Sequence, residues 1–144
     1  MKPSHLIVLS SVLVTLAYSV AGARSSYGNL AFSQYQLQKD ASITKAGCKF
    51  CHTTAFGGGS WNKFGTALKT QWDGAANKKI QDALFLVLKE NQDSDGDGYG
   101  DALEVVAKTL PGDAKSKPSA SVSDLEAQLK KLGGVEAFKP AVTK

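Results

Sequence analysis

A run of acidic residues at positions 93–104 constrains the fold of this 144-residue chain more than any other feature. Its sequence, D-S-D-G-D-G-Y-G-D-A-L-E, contains five carboxylates and no basic side chain. Aspartate and glycine disfavour a helix through most of the run, and the like charges would repel one another strongly without a cation. The run therefore predicts a tight loop between two helices.

The same twelve residues match the calcium loop of an EF-hand at every position that the pattern specifies. The expected calcium ligands are Asp93, Asp95, Asp97, the backbone carbonyl of Tyr99, Asp101 through a water molecule, and a bidentate Glu104. Gly98 permits the sharp turn, but Gly100 stands where paired EF-hands carry a β-branched or aliphatic residue. Because the chain has no sister loop, we expect one structural Ca²⁺ with a dissociation constant of about 10⁻⁴–10⁻³ M. The alternative is a solvated acidic loop.

A second chemical motif is Cys48-Lys49-Phe50-Cys51-His52, which has the C-x-x-C-H spacing of c-type haem attachment. Two thiols at this spacing lie on one turn, where each can add to a haem vinyl group. The following imidazole can then reach the iron as an axial ligand. We therefore expect one haem c, held by Cys48 and Cys51, with His52 as the axial ligand.

Three other roles remain open for this segment. The two cysteines could form a local disulfide, or a dithiol redox pair, although the βαβ context typical of such pairs is absent. Cys48, Cys51 and His52 could also supply three ligands of a zinc site, which a carboxylate would have to complete.

The N-terminus has the layout of a secretory signal peptide. Lys2 is positively charged, residues 6–20 are largely apolar, and Ala21-Gly22-Ala23 is a small-x-small cleavage site. An uncleaved membrane anchor is the alternative, but the apolar run is short for a membrane span. We expect cleavage after residue 23, export to the periplasm or the cell surface of a bacterium, and no membrane span afterwards.

Removal of residues 1–23 leaves no methionine, and His52 becomes the one remaining histidine. The iron can then have neither His/Met nor His/His ligation from its own chain. It is five-coordinate or water-bound, or its sixth ligand is a lysine, a tyrosine, the new α-amino group or a side chain of another protein. The absence of a distal histidine makes peroxidase activity the weaker interpretation.

Apolar periodicity predicts an all-α fold of four to five short helices around a covalently attached haem, with one EF-hand-like helix-loop-helix. We predict helices over residues 29–37, 61–72, 78–90, 103–110 and 123–132, the second capped by Ser60 and the last by a Ser123–Glu126 capping box. Residues 39–45 are predicted to form a loop. The domains are a signal peptide (1–23), a haem-binding and EF-hand-like domain (24–112), and a Lys/Ser/Pro linker with a C-terminal helix (113–144).

The combination of motifs resembles that of small secreted bacterial cytochrome-c-like proteins with a thrombospondin-type-3-like or EF-hand calcium loop. The matching pieces are residues 48–52, Asn62-Lys63-Phe64-Gly65 and residues 93–104, within a region of about residues 35–110. The resemblance implies haem attachment beside a calcium loop and implies no defined activity.

The sequence therefore predicts an exported monohaem c-type protein that transfers electrons or binds small ligands at the haem, with a periplasmic redox protein as its partner. It is predicted to be a carrier or ligand binder rather than an enzyme. A net charge of +3 after cleavage, from dispersed lysines, does not indicate nucleic-acid binding. The alternative function is a calcium-binding surface module without haem, in which Cys48 and Cys51 form a disulfide.

Overall fold

A computed structural model describes residues 26–75 and 77–141 of the chain. The predicted signal peptide, residues 1–23, lies outside these ranges. The six α-helices of the described residues are α1 (residues 26–34), α2 (Ala41–Ala46), α3 (Lys63–Gly74), α4 (Ile80–Lys89), α5 (Asp101–Ala107) and α6 (Val122–Leu132). Two 3₁₀ turns, Gly47–Phe50 and Val135–Phe138, complete the helical structure.

The all-α prediction is confirmed for the described residues, which contain no strand and a single isolated bridge between His52 and Trp61. The helices number six, where four to five were expected. None of the helices in the described ranges is long and apolar enough to cross a bilayer.

The additional helix is α2, which occupies most of the segment predicted to be a loop. Asp40 caps it, because its Oδ1 accepts hydrogen bonds from the backbone N–H groups of Ser42 (3.0 Å) and Ile43 (3.2 Å). A capping side chain of this kind satisfies N–H groups that a helix cannot pair internally. Ile43 is buried and fastens the helix to the core.

The core is built around a cluster of aromatic rings that includes Phe50, the residue between the two cysteines. The Phe50 ring meets Phe32 at 5.6 Å and Phe64 at 5.4 Å, both nearly edge to face, and Tyr35 at 5.9 Å. Edge-to-face pairs of this kind add stability beyond the apolar area that they bury. The segment with the two thiols is therefore anchored in the core by its own side chain.

Helices α4 and α5 flank the acidic loop, as predicted, although α5 is displaced from its expected position. It begins at Asp101 and ends at Ala107, because Lys108 takes a left-handed conformation (φ 61°, ψ 44°) that terminates it. Leu110 is buried but lies beyond the helix. Leu110, the last apolar residue of the predicted segment, thus fills the core without being helical.

Helix α6 packs against α5, and its N-terminal cap differs from the prediction. Ser121, two residues before the expected Ser123, accepts a hydrogen bond from the backbone N–H of Asp124 at 3.2 Å. The predicted Ser123–Glu126 capping box is therefore wrong, whereas the predicted C-cap, Gly133, is confirmed by its φ of 103°. The predicted leucine stripe is only partly buried: Leu125 is buried, Leu129 packs at the edge of the core and Leu132 is exposed.

Candidate functional site

The segment that contains the two cysteines forms one tight turn. Cys48 lies in the 3₁₀ turn Gly47–Phe50, and its carbonyl accepts hydrogen bonds from the N–H groups of Cys51 (3.1 Å) and His52 (2.8 Å). The two thiols are free in the structure. The two cysteines, which are three positions apart in the sequence, therefore lie on one turn, as predicted.

Cys48, Cys51 and His52 all line one cavity of about 380 Å³. Most of its other walls are glycines and apolar or aromatic side chains. They come from α1, from the loop before α3, from α3 and from α4, and include Ala31, Trp61, Leu68, Trp72, Ile80 and Leu84. The turn with the two thiols thus opens onto a largely apolar space of the kind that surrounds small-molecule cofactors.

The wall beside His52 is formed by Trp61, whose ring stacks on the imidazole with the centroids 4.2 Å apart and the planes at 28°. An isolated backbone bridge joins the same two residues. Trp61 was predicted to begin α3, but it precedes that helix and belongs to the loop that folds back over residues 51–53. The packing of the imidazole against Trp61 limits the orientations that the ring can adopt.

Asn62 ties this turn to the beginning of α3. Its side-chain Oδ1 accepts a hydrogen bond from the N–H of Gly65 (2.7 Å) and caps the helix, a role that the sequence analysis assigned to Ser60. Its Nδ2 donates to the carbonyls of Lys49 (2.9 Å) and Phe50 (3.3 Å). One buried amide therefore fixes the turn of residues 48–52, here called the thiol turn, and helix α3 relative to each other. The sequence did not indicate this role for Asn62.

Gly65 allows the close approach of the two segments. A Cβ atom at this position would lie 1.9 Å from the carbonyl oxygen of Cys51 and 2.8 Å from its carbonyl carbon. Gly112 approaches Asn62 in a similar way, because its Cβ would lie 2.4 Å from the Asn62 side chain. The Asn-x-Phe-Gly sequence is thus a packing motif for the thiol turn, in which Phe64 supplies the aromatic contact to Phe50.

Substitution of Gly65 by alanine should destabilise the chain, because the added methyl group cannot fit against the Cys51 carbonyl. We expect Gly65→Ala to lower the free energy of unfolding by about 3 kcal/mol. Gly74→Ala is the matched control on the same helix, since nothing lies within 4 Å of its added Cβ, and it should be neutral or stabilising by about 0.5–1 kcal/mol. Urea unfolding of the two variants measures the difference; equal losses would contradict the proposed close contact.

The environment of Cys51 keeps its thiol protonated. Burial, followed by the nearby Cys48, raises the pKa of Cys51 to about 12. The thiolate is the nucleophile in disulfide exchange, and in a Cys-x-x-Cys pair it forms at the first cysteine. The raised pKa of Cys51, the second cysteine, is therefore compatible with a dithiol pair as well.

The acidic loop uses part of its carboxylate oxygens to fold its own backbone. Asp93 accepts hydrogen bonds from the N–H groups of Gly96 (2.8 Å) and Asp97 (3.2 Å) through Oδ1 and of Gly98 (2.9 Å) through Oδ2. Oδ1 of Asp95 accepts from Asp97 at 3.1 Å. Gly98 has a φ of 96°, so the turn occurs at the glycine where it was predicted.

Other oxygens of the loop are buried and have no hydrogen-bond partner. They are Oδ2 of Asp95, Oδ2 of Asp97 and Oε2 of Glu104. Glu104 is fully buried in α5, and Asp93, Asp95 and Asp97 each place an oxygen within 4.8 Å of the others. Buried carboxylate oxygens without partners are costly, and a hard cation is the group that would satisfy several of them together.

The pKa values of Asp95, Asp101 and Glu104 are raised, so the neutral form of each carboxyl is favoured when no cation is bound. Burial, followed by the charges of Asp95, Asp97 and Asp101, raises the pKa of Glu104 to about 9. Burial also raises the pKa of Asp101 to about 6 and that of Asp95 above its ordinary value. The charges of Asp95 and Asp97 thus reach the Glu104 carboxylate, although Glu104 is not part of the cluster of ligand oxygens that Asp93, Asp95 and Asp97 form.

Two predicted ligand residues also make protein contacts of their own. The carboxylate of Asp101 accepts hydrogen bonds from the backbone N–H (2.9 Å) and the hydroxyl (2.7 Å) of Ser94. The hydroxyl of Tyr99 donates to the carbonyl of Ala120 at 3.0 Å and fastens the loop to the segment before α6. These side chains therefore hold the loop in shape. The contacts of Ser94 and Ala120 were not identified from the sequence.

Within residues 26–75 and 77–141, the three loop aspartates are the one set of three or more Cys, His, Asp or Glu side chains whose ligand atoms cluster. Cys48, Cys51 and His52 do not form such a set. No protein-family model, curated protein or solved structure matches the chain. The chemistry of the cavity and of the loop therefore carries the functional argument.

Proposed function

We propose that the chain is an exported monohaem c-type protein with one structural calcium ion, which acts in electron transfer or small-ligand binding with a periplasmic redox protein as its partner. One observation carries this proposal: Cys48, Cys51 and His52 line a single, largely apolar cavity of about 380 Å³. Two thiols and an imidazole that line such a cavity are the groups that attach and ligate a haem.

In this function, Cys48 and Cys51 would hold the haem through thioether bonds, each made by addition of a thiol S–H across a vinyl group, which needs no oxidant. The imidazole of His52 would bind the iron, and its stacking on Trp61 would orient the ring. The bound iron supplies either a one-electron couple or a ligand-binding position. Phe50 and Asn62 hold the thiol turn in place.

The acidic loop supports a calcium ion as the second bound group. The unpaired oxygens of Asp95, Asp97 and Glu104 are hard donors of the kind that Ca²⁺ prefers, and the predicted carbonyl of Tyr99 and the Asp101 position complete the expected set. Because Glu104 belongs to α5 and the aspartates to the loop, one ion would join the two. The calcium site is proposed as a stabilising element rather than a catalytic one.

The main alternative is a calcium-binding surface module in which Cys48 and Cys51 form a disulfide. The observations that support a calcium site in the loop do not depend on the cavity, so they support this alternative as well. A dithiol redox pair has less support because the described residues contain no strand and so lack the βαβ context typical of such pairs. A zinc site has less support because, among the described residues, the ligand atoms of Cys48, Cys51 and His52 do not form a cluster. The mass and optical spectrum of the chain made with a cytochrome c maturation system separate these possibilities.

The optical spectrum should also identify the sixth ligand class. Residues 24–144 contain no methionine and one histidine, and the other ionisable side chains that line the cavity are Tyr27 and Lys69. We expect a ferric haem that is high-spin or amine-ligated and lacks the far-red Met–iron charge-transfer band. Lys69→Leu and Tyr27→Phe should change the absorption spectrum if either side chain binds the iron. A clear Met–iron band would falsify this assignment.

A further inference from the structure

Two lysines from outside the acidic loop lie directly against it. Nζ of Lys63, the first residue of α3, donates a hydrogen bond to the backbone carbonyl of Asp95 at 3.2 Å. Nζ of Lys117, from the segment before α6, donates to the carbonyl of Asp97 at 2.5 Å. The twelve loop residues contain no basic side chain. The two positive charges come from elsewhere in the chain, because Lys63 lies 30 positions before the first loop residue and Lys117 lies 13 positions after the last.

The two lysines sit where they neutralise part of the loop charge. Lys117 lies 5.2 Å from the centroid of the Tyr99 ring, a cation–π distance. Lys117 thus has a second interaction that keeps its ammonium group beside the loop.

We propose that Lys63 and Lys117 are built-in counter-cations that stabilise the metal-free loop and lower its affinity for calcium. The inference rests on the proposed calcium site, for which the independent observation is the fully buried Glu104 with its unpartnered Oε2. Without an ion, the ammonium groups reduce the repulsion among the carboxylates. When Ca²⁺ binds, the same positive charges repel it, so part of its binding free energy is lost.

The two effects have one thermodynamic consequence. Removal of a lysine charge should make the metal-free chain less stable and the calcium complex relatively more favourable. The lysines therefore raise the calcium concentration at which the loop binds the ion. They also allow the metal-free loop to remain folded below that concentration. Both side chains are exposed, so their substitution should not disturb the core.

The test is calcium titration by isothermal calorimetry of Lys63→Met, Lys117→Met and the double variant, at low salt. We expect each single variant to bind Ca²⁺ about 3–10-fold more tightly than the unmodified chain, and the double variant to show roughly the product of the two effects. In 0.5 M NaCl, a concentration at which the Debye length is only about 4–5 Å, these differences should shrink. In EDTA, the double variant should unfold at a lower temperature than the unmodified chain.

Lys63→Arg and Lys117→Arg are the matched controls, because arginine keeps the positive charge while it changes the hydrogen-bond geometry. They should bind Ca²⁺ within about twofold of the unmodified chain. Equal or weaker calcium binding by the methionine variants, or equally tightened binding by the arginine variants, would overturn the counter-cation role. Absence of calcium binding in every variant and in the unmodified chain would instead overturn the proposed calcium site itself.

Discussion

Expression with a cytochrome c maturation system should yield a coloured protein whose mass exceeds that of residues 24–144 by one haem. The physical reason is that Cys48, Cys51 and His52 share one turn and open onto the same apolar cavity. Denaturation in acid and organic solvent should not release the haem, because two thioether bonds would hold it. The measurement is intact-protein mass spectrometry together with the absorption spectrum of the reduced protein.

Variants of the thiol turn provide the controls for this result. Cys48→Ser with Cys51→Ser should lose all covalently bound haem, whereas Lys49→Ala, between the two cysteines and exposed, should retain it. His52→Gly should retain the thioether attachment sites but change the absorption spectrum, since the axial imidazole is lost. A colourless product two hydrogens lighter than the reduced chain would contradict the haem assignment and identify the disulfide alternative.

The chemical motifs could be located from the sequence because their spacing is short-range. Cys48 and Cys51 are three positions apart and can therefore share a turn, as they do, and the glycine at the sixth position of the acidic loop predicts the sharp turn at Gly98, where φ is 96°. The positions of Asn62 and Gly65 against the thiol turn could not be predicted in this way. That contact joins segments about a dozen residues apart through backbone carbonyls, which leave no sign in the pattern of side chains.

The helices illustrate the same limit at their ends. Helix α4 was predicted to within two residues because its apolar stripe is continuous. Helix α2 was missed because six residues are too few for an apolar period, and its formation depends on the Asp40 cap and on the burial of Ile43. The end of α5 was misplaced because Leu110 continues the apolar pattern after Lys108 has already turned the backbone.

The acidic loop was predicted as a list of ligands, but its electrostatic surroundings were not. The twelve loop residues contain no basic side chain, but the fold brings Lys63 and Lys117 against the carbonyls of Asp95 and Asp97. These lysines come from separate segments, so that only the tertiary structure places them there. The effective charge at the site is consequently smaller than the count of carboxylates suggests.

Calcium should raise the melting temperature of the chain by about 5–10 °C at ion concentrations of about 10–100 times the dissociation constant. The ion would satisfy oxygens of Asp95, Asp97 and Glu104 that otherwise have no partner. Because Glu104 belongs to α5, occupancy would also fasten that helix to the loop. Differential scanning calorimetry in EDTA and in excess CaCl₂ measures the shift.

Glu104→Gln should remove most of this rise, since an amide provides neither the charge nor the bidentate oxygens that calcium takes from a glutamate. Glu126→Gln, at an exposed position on α6, is the matched control and should melt like the unmodified chain in both conditions. An equal calcium-induced rise in Glu104→Gln, or none in the unmodified chain, would contradict the assigned site.

The pH dependence of the metal-free chain provides an independent test of the same residue. Folding raises the pKa of Glu104 from its ordinary 4.5 to about 9, so the folded chain holds a proton that the unfolded chain releases at neutral pH. The corresponding stability is present in full below the unfolded pKa and is lost as pH rises through the window from about 5 to 9. In EDTA, Glu104→Gln should therefore have a melting temperature close to that of the unmodified chain at pH 5, and its melting temperature should fall less towards pH 9. At neutral pH, calcium should reverse the order of the two chains, because it can displace the proton of Glu104 and bind the carboxylate, whereas a glutamine offers no carboxylate.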